Sequence, residues 1–398
     1  MTISDLPPAN DDEAKVPAYT PHDLGLDGTA ATLALRQRDW RAIFAEHVYG
    51  AIPPPPDAVE IARTRVADEG YDRLRLTLRC GPRVHVVDAA LWLPPDALGP
   101  VPLVVGLGFI GPAGVLFGDS FPLDPDAAVE SPPERGLVDR RLAPQVRGIH
   151  AARWPLPPIL GAGCGLLLSC YGSWTPDCPR RWQQRGAWPL MAPAAGEGQP
   201  GALSLWAWAF RRLVDVAGRL AEVDPGRIAV AGHSRLGKAA LWAAATDERI
   251  AAAFANNAGC LGPALSCRGF GETPRHLAAQ FPHWVAPRLA ATVRDGGVPP
   301  VDQHALLAAI APRRVNLASA SLDWWADPRG EYEGLRAALP AWGDAAALPT
   351  WDAVAAPGSA VAAGAVAWHL RPGGHDLTPW DWRHFLGCLA AAEAPVAG

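Results

Sequence analysis

The stretch Arg227-Ile-Ala-Val-Ala-Gly-His-Ser-Arg-Leu-Gly-Lys238 sets a serine among small residues where an apolar strand gives way to a helix. A hydroxyl at the apex of such a turn projects above a sheet. The helix that starts behind it aims its first N–H groups at any oxyanion that forms there. That is the chemistry of nucleophilic acyl transfer, with Ser234 as nucleophile. The spacing departs from G-x-S-x-G, because the second glycine comes one residue late, as Gly237. The alternative is an ordinary strand-to-helix turn with serine as the helix N-cap.

A nucleophilic serine needs a base, and the base needs an acid. In α/β-hydrolases they follow in the chain order Ser, Asp or Glu, His. The sequence Arg371-Pro-Gly-Gly-His375-Asp376 follows an apolar strand over Ala365–Leu370. Of the eleven histidines, only His375 follows a late strand through a glycine turn, and a mobile loop there could swing its imidazole over the serine. His233 adjoins Ser234 but should point away from it, which gives it a packing role. For the acid, Asp323 follows the strand Arg314–Ser319 and precedes Trp324 and Trp325. Asp327, Glu331 and Asp376 are the other candidates nearby, and the first two equally suit loop caps.

These groups need a scaffold that brings strand ends together. From about residue 100, apolar strands alternate with helices, which predicts a parallel sheet. The strands are Val101–Phe109, Gly165–Tyr171, Arg227–Gly232, Ile250–Asn256, Arg314–Ser319 and Ala365–Leu370. Helices are predicted over 36–50, 204–222 and Leu236–Thr246, and antiparallel edge strands over Arg73–Leu78 and Arg83–Leu93. Catalytic groups in such sheets sit beyond the carboxyl ends of the strands. Residues 112–160 and 173–200 are rich in Pro, Gly and Trp and read as long functional loops. Residues 1–35 are polar and Pro-rich and are expected to be poorly ordered, with one α/β-hydrolase domain over 36–398.

Composition narrows the function. With 398 residues, 49% of them hydrophobic, the chain can bury a sizeable core. A net charge of −5 offers no basic surface for nucleic acid or an anionic membrane. No apolar run reaches the length of a membrane helix. No secretory leader is visible, which predicts a cytoplasmic protein, or an exported one whose signal has been removed. Seven cysteines cannot all pair and show no zinc spacing, so reduced thiols are expected, with no metal and no cofactor. Tryptophan (17) outnumbers phenylalanine (9), and codon bias accounts for most of it better than a sugar cleft does. The same bias leaves only Lys15 and Lys238 as lysines. A lysine retained against it suggests a task that arginine cannot perform. Lys238 lies four residues after Ser234, on the same helix face.

At these residues the chain resembles the glucuronoyl esterases, carbohydrate esterases of the α/β-hydrolase superfamily. The resemblance runs through Gly232-His-Ser-Arg-Leu-Gly-Lys-Ala-Ala-Leu-Trp242, Asp247-Glu-Arg249, Arg268-Gly-Phe-Gly-Glu272 and Phe281-Pro-His-Trp284. It continues in Pro300-Val-Asp-Gln-His304, Asp323-Trp-Trp-Ala-Asp-Pro-Arg-Gly-Glu331 and Gly373-Gly-His-Asp-Leu-Thr378. The resemblance implies cleavage of the ester between a (4-O-methyl-)glucuronic acid side chain of xylan and a lignin alcohol, with no cofactor. It implies Ser234 as nucleophile, His375 as base and Arg235 at the oxyanion. Lys238 and Glu272 would bind hydroxyls of the glucuronate ring, Trp325 would line the sugar subsite, and Arg268 is set with them at the substrate. Many members carry an acid where this chain has Asn257, and an amide cannot stabilise an imidazolium. The acid role is therefore assigned to Asp323. The expected partner is a glucuronoxylan ester or a smaller analogue, met by a monomer. The competing functions are an acetylxylan or small-molecule esterase, and a sugar-binding relative that has lost catalysis.

Overall fold

The computed structural model describes residues 6, 8–129, 137–138, 140–192, 196, 198–343 and 347–390. Residues 1–5 and 7 of the segment expected to be poorly ordered lie outside the described residues. So do 130–136, 139, 193–195 and 197 of the two long loops. The chain forms two compact units. One holds residues 52–193, 205–231 and 377–398, and the other holds 1–51, 194–204 and 232–376.

The first unit is built on β1 (Ala58–Val66), β2 (Tyr71–Cys80), β3 (Arg83–Trp92), β4 (Val101–Gly108), β7 (Gly165–Cys170) and β8 (Val223–His233), with a small hairpin of β5 (Leu137–Val138) and β6 (Arg141–Leu142). Strands β1, β2 and β3 pair antiparallel, as does β3 with β7, whereas β4 runs parallel to both β7 and β8. Strand β8 begins earlier than the sequence suggests. Its Val223 pairs with Val101, and the register slips before Leu103 meets Ile228, so Asp224-Pro225-Gly226 forms an irregularity inside a strand. The last two residues of β8, Gly232 and His233, belong to the other unit.

That other unit contains β9 (Ala252–Asn256), β10 (Arg314–Ala320), β11 (Ala360–Ala363) and β12 (Val366–Arg371). Strand β10 is parallel to both β9 and β12, and β11 closes the edge antiparallel to β12. Every residue of β9 and β12 is buried, as expected of parallel strands covered on both faces. The helix Arg235–Thr246 packs on β9, and the helix Pro328–Ala338 packs on β10. The helix Ala30–His47 starts six residues before the predicted Arg36, because Thr29 caps it by accepting from the Thr32 N–H at 3.2 Å.

Most tryptophans are packing residues. Trp92, Trp174, Trp206, Trp208, Trp242, Trp368 and Trp382 are fully buried. The indole N–H groups of six of them donate to oxygen atoms. Trp242 donates to Ser204 and Trp368 to Ser319, each at 2.9 Å. Cys80, Cys164, Cys170, Cys178, Cys260 and Cys267 are free thiols. No helix among the described residues is long and apolar enough to cross a membrane.

Candidate active site

Strands β8, β9, β10 and β12 deliver their chemistry at the carboxyl end. Ser234 follows β8, Asn257 follows β9, Asp323 lies just beyond β10, and His375 lies just beyond β12.

Ser234 sits at φ 58°, ψ −127°, a conformation that side-chain-bearing residues rarely adopt. Such a residue costs on the order of 1–3 kcal/mol and persists only where its surroundings over-determine it. They do here. The Ser234 N–H donates to the Asn256 carbonyl at 2.8 Å, and its own carbonyl accepts from Gly237 at 2.9 Å and Lys238 at 3.2 Å. Gly232 is obligatory: a Cβ there would lie 2.1 Å from the Leu236 carbonyl oxygen. Gly237 closes the same corner, since its Cβ would stand 2.9 Å from the Ala258 side chain and 3.1 Å from the Gly232 oxygen. The late glycine therefore does the packing that the more familiar spacing assigns to the position before it.

His375 Nδ1 and Asp323 Oδ2 are 2.6 Å apart. Because a carboxylate accepts, Nδ1 carries the proton and Nε2 is left able to take one. The imidazole ring lies 4.6 Å, centroid to centroid, from the ring of His233, the residue that precedes Ser234. His233 is itself fixed by a 2.5 Å hydrogen bond between its Nδ1 and Asn256 Oδ1. Asp323 is buried, whereas 43% of the His375 side chain is exposed. The loop around His375 is held by several hydrogen bonds in this structure. Arg371, at the end of β12, donates to the carbonyls of Pro372 at 3.0 Å, Gly374 at 2.6 Å and Asp376 at 3.0 Å. Leu322 donates to Gly373 at 2.9 Å from the loop that carries Asp323.

Asn257 is not in competition with Asp323. Its Nδ2 donates to Asp323 Oδ2 at 2.7 Å, the same oxygen that faces His375. The backbone of Asn257 is left-handed, φ 46°, a turn that Asn tolerates better than most residues, and its N–H donates to Ala318 at 2.7 Å. Of the other acid candidates, Glu331 and Asp327 face inward to hold the frame. Buried Glu331 accepts from the Gly259 N–H at 2.7 Å and the Ser319 hydroxyl at 2.5 Å. Burial raises its carboxyl from the ordinary value of 4.5 to about 8. Asp327 caps the helix Pro328–Ala338 through Gly330.

Arg235 is buried, with its guanidinium carbon 4.4 Å from the ring centre of Trp284 and 5.3 Å from that of Phe281. The two rings stack on each other at 3.9 Å. These aromatic faces hold the guanidinium beside the turn by cation–π contact, a role not assigned to them from the sequence. Lys238 is also buried, and its Nζ donates to the Ala258 and Cys260 carbonyls and meets Glu272 Oε2 at 3.5 Å. Three acceptors around one point suit an ammonium and not a planar guanidinium. The Glu272 N–H donates to the Trp325 carbonyl at 2.9 Å, so two of the expected sugar contacts, Glu272 and Trp325, are joined by their backbones. Trp324 and Trp325 stand edge to face, with Trp324 44% exposed.

Arg268 does not join this group. It is 1% exposed, and its guanidinium binds Asp327, Glu13 and Tyr19. The sequence set it at the substrate because it opens the segment ending at Glu272. The structure turns it inward, where a planar fork can serve several oxygens at once.

Comparison with known proteins bears on this arrangement. Residues 195–344 match the family model described as glucuronyl esterase, fungi. A carbohydrate esterase from an unknown prokaryotic organism is 32% identical over 398 residues, spanning 95% of this chain and 90% of that protein. A 4-O-methyl-glucuronoyl methylesterase of Hypocrea jecorina is 31% identical over 152 residues, 36% of this chain and 33% of the relative. Among solved structures, a glucuronoyl esterase from Solibacter usitatus superposes with a TM-score of 0.83 at 32% identity, covering 96% of this chain and 100% of that one. The chain belongs to the glucuronoyl esterase family and is a carboxylic ester hydrolase with the α/β-hydrolase fold.

Proposed function

We propose that the protein hydrolyses esters of (4-O-methyl-)glucuronic acid, of the kind that link glucuronoxylan to lignin alcohols, with Ser234, His375 and Asp323 as its triad. The observation that carries this reading is the 2.6 Å contact between His375 and buried Asp323, with the imidazole packed at a tilt against the ring of His233, which leads into Ser234.

His375 Nε2 takes the Ser234 proton as the hydroxyl oxygen attacks the C6 carbonyl of the uronate. Asp323 keeps the imidazole in the right tautomer and stabilises its charge. The Arg235 N–H, at the start of its helix, and the Arg235 guanidinium hold the oxyanion. The imidazolium then protonates the leaving alcohol, and the C6–O bond to that alcohol breaks. Water, deprotonated by His375, attacks the acyl-enzyme, and the proton returns to Ser234 as the uronic acid departs. Asn257 assists by donating to the Asp323 oxygen that faces His375, which fixes the carboxylate's orientation. Glu272 accepts from a ring hydroxyl, Lys238 orients Glu272 from below, and Trp325 offers an apolar face to the sugar. These contacts lie on the acyl side of the ester, so they favour a uronate over an acetyl group, which has no ring hydroxyls.

Ser234→Ala assayed on benzyl glucuronate should lose at least about a thousandfold in kcat, as triad deletions do. Retained turnover would end this reading. A preference of the native protein for acetylated xylan over glucuronate esters would replace the proposed substrate with acetylxylan.

A further inference from the structure

The segment Asn10–Tyr19 makes three specific attachments to the Arg268–Glu272 loop and one to Arg329, in the helix that follows the loop bearing Trp325. The Asn10 carbonyl accepts from the Gly271 N–H at 2.8 Å, immediately before Glu272. Glu13 Oε1 accepts from Arg268 at 2.6 Å, and its other oxygen accepts from Arg329 at 3.1 Å. Arg268 donates to the Tyr19 hydroxyl at 3.1 Å and lies over the Tyr19 ring at 5.4 Å. On its far side Arg268 grips Asp327 at 2.8 and 3.2 Å. Asp327 ends the turn Trp324–Ala326 that bears Trp325.

Buried Arg268 is thus the junction of three pieces of chain: the Asn10–Tyr19 segment, the Arg268–Glu272 loop and the Asp323–Asp327 loop. The two loops also lie against each other. A Cβ on Gly271, at φ 60°, would fall 2.6 Å from the carbonyl oxygens of both Trp324 and Trp325. Such close backbone contact leaves little slack between the two sugar contacts. What sets their joint position is whatever sets Arg268.

We propose that Asn10–Tyr19 is a strap that positions the sugar-binding loop pair through Arg268, and so tunes recognition of the uronate ring rather than the bond-breaking step. The proposal rests on Glu272 and Trp325 contacting the sugar. Glu13 and Tyr19 are positioning residues: they act through Arg268 and touch no reacting atom. Loosening the strap should weaken contacts made equally in the ground and transition states, which raises KM and leaves kcat.

The test uses the full chain carrying Glu13→Ala with Tyr19→Phe, beside Glu272→Gln. Both are assayed on benzyl glucuronate and on p-nitrophenyl acetate, which has no sugar ring. The double variant should raise KM for the uronate ester about tenfold, with kcat within about twofold and acetate hydrolysis unchanged. Glu272→Gln should raise the same KM. A silent double variant beside an impaired Glu272→Gln would sink the strap alone. A silent Glu272→Gln would sink the sugar contact and the strap with it. An equal fall in kcat on both esters would show general support of the fold and overturn the proposal.

Discussion

The two ends of the site are built in opposite ways. At the acid–base end, the imidazole of His375 is open to water, and one short contact with Asp323 orients it. At the proposed sugar end, Lys238 and Glu272 are closed in: Lys238 donates to two carbonyls and meets Glu272, whose N–H donates to the Trp325 carbonyl. The difference suits the tasks proposed for them. A base that passes protons among serine, alcohol and water needs one nitrogen accessible and the other fixed. Groups that read hydroxyls need fixed positions, because a recognition site works only when its geometry is held to within about half an ångström. Changes at the first end should therefore show in kcat with the fold intact. Changes at the second should show in stability and KM.

The largest effect expected is at Asp323. Asp323→Asn should lower kcat by about ten-thousandfold, as the corresponding change does in serine proteases, with KM and melting temperature nearly unchanged. Steady-state kinetics with a thermal melt decide it. Comparable activity in the variant would break the contrast by removing the acid from its role.

Lys238→Met should behave differently. It leaves Glu272 and two buried carbonyls without their cation, and removing one partner of a buried pair costs about 3–5 kcal/mol. Urea denaturation should show that loss, and KM for the uronate ester should rise more than kcat falls. A variant as stable as the native chain would mean that the sugar end is no more rigid than the other.

A further effect, read in the pH dependence of stability, is expected at Glu331. The buried Glu331 carboxyl, raised from 4.5 to about 8, binds a proton more tightly in the folded chain than in the unfolded one. Its contribution is fully present below pH 4.5 and is lost as pH rises through about 8. Glu331→Gln, which keeps an acceptor for Gly259 and Ser319, should flatten the decline in stability across that window. Denaturation midpoints taken at several pH values would reveal it, and an unchanged slope would refute the assignment.

Much of this was legible beforehand, for identifiable reasons. The parallel strands announce themselves as apolar runs, and their ends fall within a few residues of the expected positions, apart from β8, which starts at Val223, ahead of Asp224-Pro225-Gly226. Strand β1 escaped notice because its residues are exposed or half-exposed, so no buried face leaves an apolar alternation in the sequence. Ser234 and His375 stand out because turn glycines flank them. Asp323 was reachable from its place after a strand. The bond from Asn257 to Asp323 was not, because it joins side chains 66 residues apart that no periodicity links. Arg268 was misplaced for the same reason. Its partners Glu13 and Tyr19 lie about 250 residues away, in a stretch whose composition reads as loose chain.

The corner formed by Gly232 and Gly237 also bears on engineering. Any side chain at position 232 would strike the main chain of Leu236, and position 237 has no room for one beside Ala258. Libraries aimed at new acyl preferences should hold these two codons constant. Diversity belongs in the Trp324–Trp325 turn and around Glu272, where a new surface can be presented without rebuilding the bend that displays Ser234.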